Sequence, residues 1–449
     1  MAKPDRPLLG TPSRTIRHNA LIKLASELSG RLALFALVLF AARRLGEAGF
    51  GLYNYALALG FVLAQLADLG MQLVITREIA AGRETEGDAT RGEGLVVIAL
   101  RLKLLLSAVV AIVLWLIVSR YPGDRAALFL LSILPLLQSF PEFTGYVYRG
   151  RQNLRVEARL LAAARIALTL AGVVALLARA DLLALAVSQV AVGLLFAVWS
   201  LRLLHRGGWL HSLRDALAIH RLAAGSMRVG YLLRQSLPLG VSIFLSIAYV
   251  RLAVLLLQYR LGETAVAHFS AAARLTEPAQ LVPASVMAAV FPAFTLALQR
   301  PGGEARRLGR RATLLLLAFG VVVAAGGWLV ARWLIPLLYT ADYVESVRVF
   351  QVLALSLIPA FVNYTLTHYL VARNQQVLMG AFTAAMLALH ATLSWYLIPR
   401  VGVVGPAISI VGAELLLTGL CTAALRFTRP IAPEPENPTP EASGPIATD

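Results

Sequence analysis

Long apolar runs recur along the whole of this 449-residue sequence, and each is about as long as a helix that crosses a lipid bilayer. A spanning helix needs about 20 mostly apolar residues. By that criterion twelve runs predict spanning helices: residues 21–42, 51–73, 95–118, 126–148, 158–178, 182–204, 236–258, 265–297, 312–338, 347–371, 376–398 and 402–425. Because the eighth run contains Pro278, Pro283 and Pro292, we expect it to be bent or broken. The pattern predicts an all-α polytopic membrane protein.

The composition excludes an ordinary soluble enzyme. Hydrophobic residues make up 58% of the chain and charged residues only 14%, whereas soluble domains carry about 25% charged residues. The single cysteine, Cys421, lies in the last apolar run, so the chain offers neither a disulfide framework nor a cysteine-based metal site. We expect no metal and no cofactor.

Basic residues lie in short clusters between the apolar runs, although the net charge of +17 would also fit a nucleic-acid-binding protein. The N-terminal tail and most even-numbered connections are richer in arginine than the odd-numbered ones. Loops with an excess of arginine and lysine face the cytoplasm. We therefore expect both termini in the cytoplasm and no nucleic-acid partner. The first run follows a polar, basic stretch without a cleavage site, so it is predicted to be a retained span.

The connections divide the chain into two sets of six helices. In the sixth connection Trp209, Leu210, Leu213 and Leu217 recur at helical spacing beside arginines, which is typical of an amphipathic helix at a membrane surface. The predicted organisation is a cytoplasmic tail over 1–20, an N-lobe with helices 1–6 over 21–205, an amphipathic connector over 206–235, a C-lobe with helices 7–12 over 236–426, and a disordered tail over 427–449.

An internal repeat supports this division. The sequence Arg-Leu-Gly-Glu occupies residues 44–47 after the first helix and residues 260–263 after the seventh. Two facing repeats are a common plan among transporters, in which the substrate site lies between them near the bilayer midplane.

Several motifs resemble one family. The segment AARRLGEAGFGLY at 41–53, with Ala-Asp-Leu-Gly at 67–70, resembles the opening helix pair of the polysaccharide flippases, the Wzx-like branch of the multidrug/oligosaccharidyl-lipid/polysaccharide exporter superfamily. Ser-Leu-Pro-Leu at 236–239 and IPRVGVVGPA at 398–407 are similar to its later motifs. The resemblance covers roughly residues 15–425. It implies a V-shaped pair of lobes with alternating access in a bacterial cytoplasmic (inner) membrane.

The resemblance also implies a substrate, an oligosaccharide carried on a polyprenyl diphosphate and moved to the outer leaflet for cell-surface polysaccharide synthesis. Its implied partners are this lipid-linked oligosaccharide, membrane lipid and glycan-assembly proteins.

Charged residues within spans are expensive and usually face a cavity or a charged partner. We predict that Arg31, Arg251 and Arg274 bind the headgroup, because forked guanidinium donors match phosphate oxygens. The resemblance adds weight for Arg31 and Arg274, since lipid II flippases use cavity arginines in their first and eighth helices. The alternative is neutralisation along the helix by Glu27 and Glu277.

Three further acids lie within spans. Asp68, Glu142 and Glu414 are candidates for ion coupling or charge pairing, as are Glu27 and Glu277. Lys103 and Arg165 lie nearer the predicted cytoplasmic ends and are expected to reach the interface with their long side chains. Gln138 and Gln189 fit either sugar contacts or hydrogen bonds between helices.

Two other function classes compete with a flippase. A membrane glycosyltransferase or polymerase usually needs a sizeable extramembrane loop, whereas the predicted outer loops are short and the chain has no HExxH or GxxxxGK[ST] motif. A multidrug exporter of the same superfamily would share the helices and differ in the cavity, but three cavity arginines suit an organic cation poorly. The sequence therefore predicts a transporter and not an enzyme.

Overall fold

The computed structural model describes residues 14–82, 89–210, 226–298, 303–373, 375 and 377–427, with the side chains of all of these except 14–28, 31, 89–93, 226–227, 298 and 306. Every regular element in this part of the chain is helical, which confirms the predicted class. The α-helices are α1 (Arg14–Asp68), α2 (Met71–Ala81), α3 (Ala89–Ser119), α4 (Arg125–Gly150), α5 (Leu154–Ala178), α6 (Leu182–Arg206), α7 (Ser226–Leu261), α8 (Glu263–Thr276), α9 (Leu281–Leu298), α10 (Glu304–Leu338), α11 (Glu345–Ala372), α12 (Val377–Val401) and α13 (Val404–Phe427).

Eleven stretches of the described chain are long and apolar enough to span a membrane. The first of them, Leu32–Asp68, takes in parts of two predicted runs, because α1 consists of two helices that meet at a kink at Gly46, where φ and ψ are not helical. The stretch Glu263–Ala297 corresponds to the eighth predicted run. It is broken by a single 3₁₀ turn at Pro278–Gln280 between α8 and α9, as its prolines predict.

The two copies of the Arg-Leu-Gly-Glu repeat have the same backbone conformation at their glycines. Gly46 has φ 68° and ψ −178°, and Gly262 has φ 84° and ψ −165°. Only glycine visits this region readily, because a Cβ atom would clash with the backbone. The sequence repeat therefore marks the same sharp change of direction after the first helix of each half.

Helix packing follows the two halves of the chain. In the first half α1 packs on α3, α4 and α5, and α4 packs on α6; in the second half α11 packs on α8, α10 and α13, and α12 packs on α7 and α13. Most contacts between the halves are made by α1 with α7 and α8, and α2 and α3 also contact α7. Helices α1, α7 and α8 surround the space in which a site shared by both halves can form.

The halves approach each other closely at the end of the bundle that contains Gly46 and Gly262, here called the outer end because the charge pattern predicts that it faces away from the cytoplasm. A Cβ atom on Gly51 would lie 1.9 Å from the Glu263 carbonyl oxygen, so only glycine permits this contact. The Tyr121 hydroxyl donates a hydrogen bond to the Glu263 carboxylate. Burial and this hydrogen bond raise the pKa of Tyr121 above its usual value, which keeps the hydroxyl a donor.

Side chains also join the halves at the outer end. Arg43 Nε donates to the Leu338 carbonyl oxygen over 2.8 Å, and the Tyr343 hydroxyl donates to the Ala42 carbonyl oxygen over 3.3 Å. Both donors satisfy carbonyl oxygens at or near helix ends, where backbone groups lack partners within their own helix. The outer end is therefore closed by hydrogen bonds as well as by packing.

At the opposite, inner end the halves meet through α7. A Cβ atom on Gly70 would lie 2.5 Å from the Gly240 backbone nitrogen, so the start of α2 and the first part of α7 are in close contact. Beside them the Tyr231 hydroxyl donates to Glu78 over 2.8 Å. Trp209 and Leu210 are buried here, with the Arg151 guanidinium 3.8 Å from the Trp209 ring centroid. Of the connector predicted over 206–235, residues 226–235 form the first part of α7, whereas residues 211–225, including Leu213 and Leu217, lie outside the described residues, as does the tail from 428.

Lys103 forms an ion pair in the interior of the first half. Its ammonium group donates to the Asp68 carboxylate and, over 2.7 Å, to the Ser139 hydroxyl. Lys103 is fully buried, so the expectation that it reaches the membrane interface is wrong. The reason is the ion pair with Asp68. A paired charge is stable inside the bundle, whereas an unpaired Lys103 would have to extend its ammonium group to water.

We predict that breaking this ion pair destabilises the protein and that replacing both partners restores much of the loss. Asp68→Asn or Lys103→Met alone leaves one charge buried without its counter-charge, at a cost of about 3–5 kcal/mol, whereas the double variant buries none. Thermal unfolding of the purified protein in detergent measures this. The control is Arg348→Met, which removes an exposed cation. A loss of stability in the double variant equal to the sum of the losses in the two single variants would contradict the prediction.

Candidate functional site

A cavity of about 380 Å³ lies between the two halves of the chain. Its walls come from α1, α4 and α6 on one side and from α7, α8 and the 3₁₀ turn after α8 on the other. Most of the lining is apolar. Its polar side chains are Tyr53, Gln138, Gln189, Arg251, Arg274 and Glu277.

Arg251 lies on α7 within the membrane-spanning part of the helix. Its guanidinium carbon is 4.8 Å from the centroid of the Phe61 ring on α1, a cation–π contact between the two halves. Among the described residues it donates no hydrogen bond. Its forked donors are therefore available to an acceptor in the cavity.

Arg274 lies in the last turn of α8, where the helix ends before Pro278. Its Nη1 atom donates to both carboxylate oxygens of Glu277, over 3.1 Å and 3.3 Å. The predicted pairing along the chain is thus present. Among the described residues that line the cavity, Arg251 and Arg274 are accompanied by one carboxylate, Glu277, so positive charges exceed negative charges by one.

A smaller side cavity of about 170 Å³ adjoins the main one within the first half. The two cavities share Leu34, Phe61 and Gln138. The side cavity is also lined by Glu142 on α4 and Arg165 on α5. Arg165 faces this cavity because its stem packs on Gly30 of α1, where a Cβ atom would lie 2.8 Å from Arg165 Cδ. The expectation that Arg165 reaches the membrane interface stays a prediction, and the structure adds that its side chain lines this cavity.

The other predicted site residues lie elsewhere. Asp68 is paired with Lys103, and Glu414 on α13 accepts a hydrogen bond of 2.8 Å from Asn363 on α11, inside the second half. The side chains of Glu27 and Arg31 lie outside the described residues.

Sequence reasoning missed Arg165 as a cavity residue and left Gln138 and Gln189 undecided. Gln138 and Glu142 are four residues apart on α4, which places both on one helix face. That spacing was the sequence signal that could have placed Gln138 beside Glu142 at a cavity. Gln189 also holds two helices together, since its side-chain amide donates to the Leu168 carbonyl oxygen over 2.7 Å.

Comparison with known families decides the family of this chain. The family model described as polysaccharide biosynthesis protein matches residues 16–297, well over half of the sequence. The chain belongs to this polysaccharide biosynthesis family. That assignment confirms the resemblance in the opening helices. No curated protein sequence shows a significant match to this chain.

Solved structures share its fold at low sequence identity. The lipid II flippase MurJ in an inward closed conformation is similar with a TM-score of 0.69 and 9% identity, over 90% of this chain and 87% of that one. A multidrug resistance MATE family transporter of the MOP superfamily is similar in its inward-facing conformation, with a TM-score of 0.65 and 15% identity over 91% and 100% of the two chains. An outward-facing MATE family transporter of the MOP superfamily is similar with a TM-score of 0.56 and 18% identity, over 93% of this chain and 96% of that one. The chain therefore shares the fold of these solved structures.

We predict that the main cavity favours anions. Leu281 borders this cavity and is 36% exposed, and the only native cysteine, Cys421, is fully buried. In a Leu281→Cys/Cys421→Ala protein, a negatively charged thiol reagent should react at least about threefold faster than a positively charged one, after correction for their rates with a free thiol. Adding Arg251→Gln and Arg274→Gln should abolish the preference. An unchanged preference in that variant would contradict the assignment of the charge to these arginines.

Proposed function

We propose that this protein is a flippase that moves a polyprenyl-diphosphate-linked oligosaccharide across the bacterial cytoplasmic membrane by alternating access. The observation that carries the proposal is the pair Arg251 and Arg274, which line one cavity between the two halves, within the membrane-spanning region. Two guanidinium groups with a surplus positive charge suit a diphosphate, whose oxygens accept their forked donors.

The remainder of the main cavity supports the same substrate. Its walls are mostly apolar, with Phe35, Leu57 and Phe61 among the lining residues. An apolar wall with a few polar groups is typical of sites that bury most of a ligand. The headgroup would bind at the arginines while the polyprenyl chain remains in the lipid.

The closed outer end supports alternating access. Hydrogen bonds from Arg43 and Tyr343 and the close approach of Gly51 to Glu263 join the halves there. In our proposal this is the state that receives substrate from the cytoplasmic side. Opening the outer end would separate these contacts and release the headgroup outside.

A multidrug exporter is the second candidate, because MATE transporters share this fold. The charge of the main cavity favours the flippase, since an organic cation would meet Arg251 and Arg274 with one carboxylate, Glu277, to offset them. The similarity to a lipid II flippase, which acts on a lipid-linked substrate, also favours it. Glycan-assembly proteins are the partners expected for such a flippase.

We predict that deletion of the gene causes a complete polyprenyl-diphosphate oligosaccharide to accumulate, as measured by mass spectrometry of lipid extracts. Wild-type protein should restore normal levels. Arg251→Gln and Arg274→Gln should each reduce the restoring activity about tenfold or more, since a hydrogen bond to a charged group contributes about 1.5–3 kcal/mol. Arg348→Gln, at an exposed position away from the cavity, is the matched control.

Two outcomes would contradict the proposal. One is a normal pool of lipid-linked oligosaccharide in the deletion strain together with altered sensitivity to cationic drugs, which would indicate a multidrug exporter. The other is full restoration by the Arg251→Gln/Arg274→Gln double variant at wild-type protein levels.

A further inference from the structure

The side cavity contains two opposite charges that the proposed headgroup site does not use. Glu142 is exposed to it from the middle of α4, and Arg165 borders it from α5. Arg165 is near enough to attract Glu142, but among the described residues neither side chain forms an ion pair or a hydrogen bond with its charged group. Charges inside a bundle are costly unless they are paired or solvated. Both groups are therefore free to bind a polar ligand.

Among the described residues, the charged neighbours of Glu142 and Arg165 do not form ion pairs with them. Lys103 also lies near Glu142, but its ammonium group is bound to Asp68 and Ser139. The Arg165 stem is held against Gly30, which aims the side chain from α5 at the cavity. The fold thus keeps one carboxylate and one guanidinium beside the same small space.

We propose that the side cavity binds the uncharged sugar next to the diphosphate of the lipid-linked substrate. This inference rests on the proposed function. A carboxylate accepts hydrogen bonds from the hydroxyl or amide groups of a sugar, and a guanidinium donates hydrogen bonds to its oxygens. Both kinds of hydrogen bond are charge-assisted.

The connection between the two cavities fits a sugar attached directly to the headgroup. Gln138 and Phe61 border both cavities, and Phe61 is the ring on which Arg251 lies. A ligand whose diphosphate is held at Arg251 and Arg274 would therefore pass Gln138 to reach Glu142. The amide of Gln138 can donate and accept hydrogen bonds along that path.

The size of the side cavity limits what it can hold. Its volume of about 170 Å³ is less than half that of the main cavity, which is about 380 Å³. A space of this size suits a single sugar. The ring of Phe196 and the side chains of Leu161 and Val192 add apolar walls against which the carbon face of a sugar can pack. We infer that the first sugar is selected here, and the remaining sugars lie in the main cavity or the water beyond it.

Binding to the full-length protein in nanodiscs tests this inference, with a polyprenyl diphosphate and the same lipid bearing one N-acetylhexosamine as probes. Wild-type protein should bind the glycosylated lipid about tenfold more tightly, as expected for one or two added charge-assisted hydrogen bonds. Glu142→Gln and Arg165→Gln should each remove most of that preference and leave binding of the bare lipid unchanged. Arg251→Gln should weaken binding of both lipids. Arg159→Gln, at an exposed position on the same helix as Arg165, is the control.

The outcomes separate this inference from the proposed function. If wild-type protein binds both lipids equally, or if Glu142→Gln and Arg165→Gln weaken both equally, the sugar subsite is wrong while the headgroup site stands. If wild-type protein binds neither lipid, the proposed function itself fails. Should these variants not fold, Glu142→Asp and Arg165→Lys provide the same comparison, because each keeps the type of charge and moves or reshapes the group that would contact the sugar. Loss of the sugar preference supports the subsite, and its retention overturns it.

Discussion

A lipid bilayer cannot solvate charge, and this constraint governs the ionisable side chains that lie within the described membrane spans. Lys103 and Asp68 neutralise each other in the interior of the first half, and Arg274 is paired with Glu277. Arg251, Glu142 and Arg165 have no such partner among the described residues, and all three border cavities. The sorting into paired charges and cavity charges separates residues that stabilise the fold from residues that are available to a ligand.

The same constraint applies to the backbone, whose polar groups must be satisfied inside the membrane. Helices meet this requirement, and the chain interrupts them at Gly46, at Gly262 and at the 3₁₀ turn after α8. The first two interruptions lie at the outer end, where hydrogen bonds join the halves. The third lies beside Arg274 and Glu277, so the break in the eighth span brings both charged groups to the cavity. The irregular backbone at these three places therefore lies where the two halves meet or where a ligand would bind.

Much of the fold could be predicted from the sequence because membrane spans have a simple signature of length and apolarity. The Arg-Leu-Gly-Glu repeat also marked two equivalent glycine conformations, and the prolines marked the broken eighth span. The fate of individual charges was harder to predict. Lys103 and Arg165 have similar sequence surroundings, yet one is paired with Asp68 from α1 and the other borders a cavity, because their neighbours come from helices distant in the sequence. Glu142 likewise became informative only once α1, α4 and α5 were packed together.

The account depends on one claim, that lipid-linked glycan crosses the membrane through the space between the two halves. The most direct test is transport in proteoliposomes, with a polyprenyl-diphosphate oligosaccharide incorporated in both leaflets and an impermeant glycosidase added outside. Our account predicts that wild-type protein exposes nearly all of the glycan to the enzyme, whereas protein-free liposomes protect about the inner half. It also predicts that a disulfide formed between cysteines introduced across the outer end blocks exposure until it is reduced. Equal protection in liposomes with and without the protein would contradict the central claim.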